Sequence, residues 1–396
     1  MLERCLALLL LRGARQLLTL QGPSGYRCGA ALRDLGLIDD GAVLIRDGLV
    51  QGVGPSRRLE NLAEARGAAE ISVHGKLVLP GFIDQGISLF VPEVKRRTYL
   101  QTRSGAIGML RAFLHHGTTT AEIEAGGNAA TSLDLPWIRQ AIKLMQYGEL
   151  LVGWRLLVNS SHCSECEAAP LARLMKMVAR RGDVRAITLE AGPDCTVEAV
   201  TAVVEEARAL GFSVKLAGEP DISEQILRAS HRLGCVSFTS QTAPLVERLE
   251  IMAELGYPAV LRPQSDLLSA GGAGVNLRPF LEKQGIPVLA TGYHRLRNPG
   301  FSMQAVIALA VLGHQMSIEE AISAATINAA CSLACDTDRG SLEVGKRADL
   351  LVLDVPDYRE LPRQLGVNHV VMVIRRGTVV FNRTSWRGPS ASASAT

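Results

Sequence analysis

The sequence predicts an α/β fold: a (β/α)8 TIM-type barrel with a small β-sandwich domain built from the N- and C-terminal segments. Three observations predict it. Between about residues 84 and 335, short apolar runs alternate with stretches of helical period. There are eight such runs, the number that closes a parallel barrel. Both ends of the chain read as β hairpins, with too few strands at either end to make a sheet domain alone. The expected division is 1–80 plus 336–384 for the composite β domain, 81–335 for the barrel, and a disordered tail at 385–396, where Ser and Ala alternate. A doubly wound open sheet is the runner-up. It would normally carry a glycine-rich first βα turn, and none is found.

The elements follow in order. Met1–Arg15 holds an apolar run of about seven residues, at the lower limit for a signal peptide, with no clear A-x-A cleavage site. A first strand ending near Gly13 is the better reading. Ala42–Val53 reads as two strands around an Asp47-Gly48 turn, and Val73–Leu79 as a third strand. The barrel runs are Ile83–Leu89, Thr118–Ile123, Leu150–Val158, Val184–Leu189, Ser213–Ala217, Val236–Thr239, Ala259–Arg262 and Val288–Thr291. Val197–Leu210 and Pro244–Leu255 have helical period, and Gly211, Gly256 and Gly285 stand where helices end. Ser317-Ile-Glu-Glu320 is a capping box opening a helix through Ala330, with Cys331 and Cys335 four apart on a helix. Gly340–Asp354 is a turn and buried strand, and Val370–Phe381 a hairpin.

Composition excludes some classes. A net charge of +3 on 396 residues, with no basic stripe or acidic tail, gives no reason to expect nucleic acid. No run reaches the roughly 18 apolar residues of a membrane span. Eight cysteines, mostly isolated, do not form a dense disulfide framework, so a reducing cytoplasm is expected.

Several phrases carry more. They are Gly75-Lys-Leu-Val-Leu-Pro-Gly-Phe-Ile-Asp84, Gly117-Thr-Thr-Thr120, Ala325-Thr-Ile-Asn-Ala-Ala330 and Gly340-Ser-Leu-Glu-Val-Gly-Lys-Arg-Ala-Asp-Leu350. With them the chain resembles the amidohydrolase superfamily. Asn298–Met303 and Tyr358–Asn368 make the imidazolonepropionase branch the nearest, over about Leu8 to Val380. That resemblance implies cyclic-amide hydrolysis by a divalent metal, zinc or iron, that lowers the pKa of a bound water. It also implies where the ligands belong. Two histidines after the first barrel strand fall on Gly86 and Ser88, a third after strand five on Ala217, and an aspartate after strand eight on Gly292. The catalytic histidine after strand six falls on Ser240, and the family's strand-five glutamate falls on Pro220, one residue past Glu219. Glycine and alanine have no donor atoms, and a serine hydroxyl is a poor neutral ligand. No cofactor is therefore expected.

The fold places residues just past the strand ends at the mouth. Gln85, Glu122, Glu124, His162, Gln241, Gln264 and Asn298 are the expected pocket for a small polar or cyclic-amide-like ligand. Asn159 belongs to the same rim. Glu190, Lys215, Glu219 and His294 are the candidate catalytic groups, with Glu190 or Glu219 and Lys215 as an acid–base couple or a plain salt bridge. His162, Cys163 and Cys166, with Cys195, invite a zinc or thiol site, against an ordinary reduced loop. His74, His115, His116, His231, His314 and His369 read as structural. Two functions remain open: a protein that has lost metal-dependent hydrolysis and binds a small ligand or a partner, or an enzyme using metal-independent acid–base or thiol chemistry. The resemblance also allows a homodimer.

Overall fold

A computed structural model describes residues 8–89, 103–126, 135–158, 165–180, 182–240, 242–269, 274–295 and 297–383. Sixteen strands are present among them, in two sheets. The barrel sheet is β6 (Phe82–Ile87), β7 (Thr118–Gly126), β8 (Glu149–Val158), β9 (Val184–Ala191), β10 (Ser213–Gly218), β11 (Phe238–Ser240), β12 (Ala259–Leu261) and β13 (Pro287–Leu289). Neighbours in sequence are neighbours in the sheet, and all pairs are parallel. The eight runs of the sequence thus become eight strands. The barrel closes between β6 and the segment after β13. Ser88 N donates to Tyr293 O at 2.8 Å, and Ser88 bridges His294 in parallel. Asp84 Oδ1 accepts from Thr291 N at 2.9 Å and Oδ2 from Thr291 Oγ1 at 2.6 Å, pinning the same seam from inside.

Helices such as Arg103–His115, Val197–Ala209, Val246–Leu255 and Met303–His314 follow the barrel strands. Their apolar residues, with the outward strand positions Ile123, Trp154, Ile187, Leu216 and Leu261, form the main core. Strands covered on both faces need near-continuous apolar sequence, which is why these runs were legible. Helix ends use the expected devices. Ser317 and Glu320 make the reciprocal capping box, and Gly256 ends its helix in the left-handed conformation at φ +63°.

The second sheet joins both ends of the chain. Its strands are β1 (Leu8–Leu18), β2 (Leu37–Arg46), β3 (Leu49–Pro55), β4 (Ala69–Ser72), β5 (Leu77–Pro80), β14 (Leu350–Leu353), β15 (Val370–Arg375) and β16 (Thr378–Asn382). The order is β16-β15-β14-β5-β1-β2-β3, with β4 also on β1. The β2–β3 hairpin turns at Asp47 and Gly48, both with positive φ as a two-residue primed turn requires.

Three expectations need correction. The first strand does not end near Gly13 but runs to Leu18, with an irregularity at Leu11/Ala14 where Gly13 adopts φ +76°. Val73–Leu79 is not one strand: the chain breaks between β4 and β5 at His74-Gly75. The helix from Ser317 stops at Ala325, because Thr326 takes φ −126° and ψ −87°, and a second helix covers Ile327–Ser332. Cys335 lies beyond both, so the two cysteines do not share a helix.

Candidate functional site at the barrel mouth

Period-2 alternation on four adjacent strands sends one set of polar side chains into the barrel. Glu122 and Glu124 come from β7, Arg155 from β8, Thr188 and Glu190 from β9, and Lys215 from β10. They meet there. Lys215 Nζ donates to Glu122 and lies 3.8 Å from Glu124. Arg155 Nη2 is 2.6 Å from Glu124, and its Nη1 is 3.0 Å from Glu190. Thr188 Oγ1 donates to the other Glu124 oxygen at 2.5 Å. Gly153 makes room for the Glu122 carboxylate, since a Cβ there would lie 2.9 Å from Oε1. Burial alone would raise the pKa of Glu124, but the charges of Arg155 and Lys215 outweigh it and hold it down to about 2. Burial would lower that of Arg155, and Glu124 and Glu190 raise it instead.

The other half of the mouth is organised around Arg262, which directly follows β12. Its Nη2 donates to the backbone oxygen of Ser240. Its aliphatic stem fills the space beside Gly292, where a Cβ would come within 2.3 Å of Arg262 Cδ. Burial lowers the pKa of Arg262 to about 10, and the charge of Arg155 pushes the same way. Asp266, four residues on, is raised to about 7 by burial, against the pull of Arg262. Asp84 at the seam is raised by burial to about 7 despite its Thr291 hydrogen bonds.

Gly86, Ser88, Ala217, Ser240 and Gly292 lie at or just beyond the C-terminal ends of β6, β10, β11 and β13. Gly86 has φ +71°, and a Cβ there would meet the Glu124 carboxylate at 3.7 Å. A divalent metal does not fit these residues. Three of the five positions have no donor, the two hydroxyls are neutral, and a guanidinium stands between Gly292 and Ser240. Among the described residues no group of three or more His, Cys, Asp or Glu side chains is placed to hold a metal.

The remaining candidates scatter. Lys215 pairs with Glu122 and Glu124, not Glu190, so the Glu190–Lys215 couple is not formed; Glu190 belongs to Arg155. Glu219 is exposed beyond β10 and outside this network. His294 sits on the seam, half-buried, its Nδ1 accepting from Arg297 N at 3.2 Å. Asn298 is buried and donates through Nδ2 to Ser265 Oγ at 2.7 Å and Thr291 O at 2.8 Å. Gln264 packs over Gly300. Gln85 and Gly86 share a cavity of ≈ 10 Å3 with Glu124, Arg155, Lys215 and Arg262. His162, Cys163, Gln241 and Asn159 lie outside the described residues, as does the side chain of Cys166. Cys28, Cys195, Cys235, Cys331 and Cys335 are free thiols.

Arg155, Arg262 and Asp266 were not anticipated. A signal existed for the first. Arg155 interrupts the apolar run of β8 in opposite phase to Val152, Trp154 and Leu156, so in a barrel jacketed by helices it must face inward and find carboxylates.

Comparison with known proteins agrees with the fold. A profile described as the amidohydrolase family matches residues 77–380. An imidazolonepropionase of Symbiobacterium thermophilum is 28% identical, covering 94% of this chain and 97% of that protein. One from Brevibacillus brevis is 27% identical, covering 93% and 97%. Among solved structures, a molinate hydrolase superposes with TM-score 0.70 at 16% identity, over 100% of both chains. The guanine deaminase of E. coli gives 0.66 at 16%, over 95% of this chain and 99% of that one.

Proposed function

The chain belongs to the amidohydrolase family, and from that premise we propose that it has given up metal-dependent hydrolysis and binds a small polar ligand at its barrel mouth. One observation carries this reading: Arg262 occupies the ground between Gly292 and Ser240 where the resemblance calls for a metal ligand and a catalytic base. A cation built into the protein there opposes a second, divalent one. Without a metal, water keeps a pKa of about 15.7 and the hydroxide nucleophile is lost. The imidazolonepropionase relatives support a ligand of cyclic-amide type. The cysteine pattern of the sequence, mostly isolated residues with no dense framework, supports a reducing, cytoplasmic setting. Elemental analysis of the purified protein, paired with an imidazolonepropionate hydrolysis assay, tests the reading. The expected result is no stoichiometric zinc or iron and no turnover. Stoichiometric metal, or turnover abolished by a chelator, overturns it.

A second reading, metal-independent acid–base catalysis, is favoured by Asp266, a buried carboxyl near pH 7 beside Arg262. Glu190 and Lys215 suit that role less, being tied into ion pairs. Turnover of a cyclic amide with an inflection near pH 7, lost in Asp266→Asn, would establish it.

A further inference from the structure

The composite sheet has a hollow of its own, apart from the barrel. Its volume is ≈ 460 Å3, and it is lined by Arg15 and Gln16 of β1, Asp39 and Asp40 of β2, and His74. Small-molecule clefts run from about 300 to 1,000 Å3. The hollow opens where three stretches of backbone leave the regular ladder together. Gly13 takes φ +76° at the irregularity in β1, Asp40 takes φ +46° on the facing strand, and Gly75 takes φ +76° where the chain breaks between β4 and β5. Irregularities of this kind re-aim side chains beside binding sites.

The ionisable groups around it are unmet. Arg15, Asp39, Asp40 and His74 are exposed, and their side chains have no hydrogen-bond or ion-pair partner among the described residues. Charges nearby behave differently. Arg12 pairs with Glu60 at 3.2 Å and Glu70 at 2.7 Å, Lys76 with Asp354 at 2.6 Å, and Arg359 with Asp357 at 3.0 Å. Gln16 is also committed: its Nε2 donates to Asp357 Oδ2 at 3.1 Å and its Oε1 accepts from Tyr358 N at 3.0 Å. Arg15 and Asp40 would be the easiest pair to form. Ala14 stands opposite Gly41 and Gln16 opposite Asp39, which sets Arg15 against Asp40. Opposite charges so placed normally attract. The left-handed backbone at Asp40 redirects its side chain, and the pair is not formed. A single unpaired surface charge means little, because exposed ion pairs are worth little. Four such groups of both signs around one ligand-sized hollow mean more: a ligand meets each of them without breaking a contact the protein already has.

We propose that this hollow binds a basic α-amino acid. Its wall offers one guanidinium and two carboxylates, so the complement is one carboxylate and two cations. Arg15 takes the α-carboxylate, Asp39 and Asp40 take the α-ammonium and the side-chain cation, and His74 closes the rim. The second cation follows from the count, since an amino acid with a neutral side chain leaves one wall carboxylate unmet. A divalent metal would answer the carboxylates alone, and no group of three ligating side chains is assembled for one among the described residues. The site belongs to the composite sheet and does not depend on the reading of the barrel mouth.

The test is a titration of full-length protein with L-lysine at constant ionic strength. L-Norleucine, which lacks the side-chain cation, and L-lysinamide, which lacks the carboxylate, are the controls. Binding is read by calorimetry and melting temperature. L-Lysine is expected to bind saturably and raise the melting temperature, with both controls weaker. Arg15→Gln and Asp40→Asn should each weaken L-lysine by about two- to fivefold, the worth of one exposed ion pair. Arg15→Gln should leave L-lysinamide unchanged, because that ligand has no carboxylate for Arg15 to meet. Both variants should fold, since Arg15 is exposed and asparagine tolerates the left-handed backbone of position 40. No saturable L-lysine binding, equal binding of either control, an affinity unchanged in both variants, or equally tight calcium overturns the proposal.

Discussion

At the scale of single residues, Lys215 decides whether the barrel interior is tolerable. It is 3% exposed, and it neutralises Glu122, which is 1% exposed, as well as neighbouring Glu124. Breaking a buried pair by removing one partner leaves an uncompensated charge, whereas removing both with apolar residues of similar volume is close to neutral. Lys215→Met should therefore cost about 3–5 kcal/mol in urea unfolding. The double variant Lys215→Met/Glu122→Leu should recover part of that loss, because Glu124 keeps Arg155. A double variant no more stable than the single one would show that the pair is not the source of the cost. Glu122, Glu124 and Lys215 were legible as mouth residues because strand alternation fixes where they point. Their partners were not, since pairing depends on the stagger between strands, which one sequence does not reveal.

At the scale of elements, the seam between β6 and the end of β13 is the barrel's least regular joint. It is held by the Ser88–Tyr293 backbone hydrogen bond and by Asp84 clasping Thr291 twice. Thr291→Val removes one of the two donors and leaves a buried carboxyl oxygen unmet, at a cost of about 1–3 kcal/mol. Hydrogen exchange at the Ser88 amide should rise with it, while the amides paired between β8 and β9 stay protected. Uniform acceleration across both would mean the seam is not a separate unit. All eight barrel strands were readable as apolar runs. The breaks at Gly13, His74-Gly75 and Thr326 were not, because they arise where the chain meets other elements: β1, for instance, is shared between β2, β4 and β5.

At the scale of the molecule, the buried carboxyls set how stability varies with pH. Asp266 and Asp84 have folded pKa values raised to about 7, against about 3.9 unfolded. A raised value means the folded state binds the proton more tightly, so this contribution is whole below about pH 4 and is lost as pH rises through 7. Glu124, depressed to about 2, acts oppositely: its contribution is present above about pH 4.3 and is lost as pH falls toward 2. These two carboxyls pull the urea midpoint down between pH 5 and pH 8, whereas His115, His116, His314 and His369, whose pKa values burial lowers, push it up as pH rises toward about 6.5. Asp266→Asn should therefore make the slope of midpoint against pH more positive across that window; an unchanged slope would remove Asp266 as a cause. The composite origin of the second sheet was readable from the β character of both ends. Gly292 has a longer-range consequence. With φ +59° and its side-chain space taken by Arg262, it penalises any single substitution by an acidic residue, which would need a strained backbone and a displaced arginine at once. That corner works as an interlock: an acidic side chain can enter position 292 only together with a change at position 262, so two substitutions are needed where one would otherwise do.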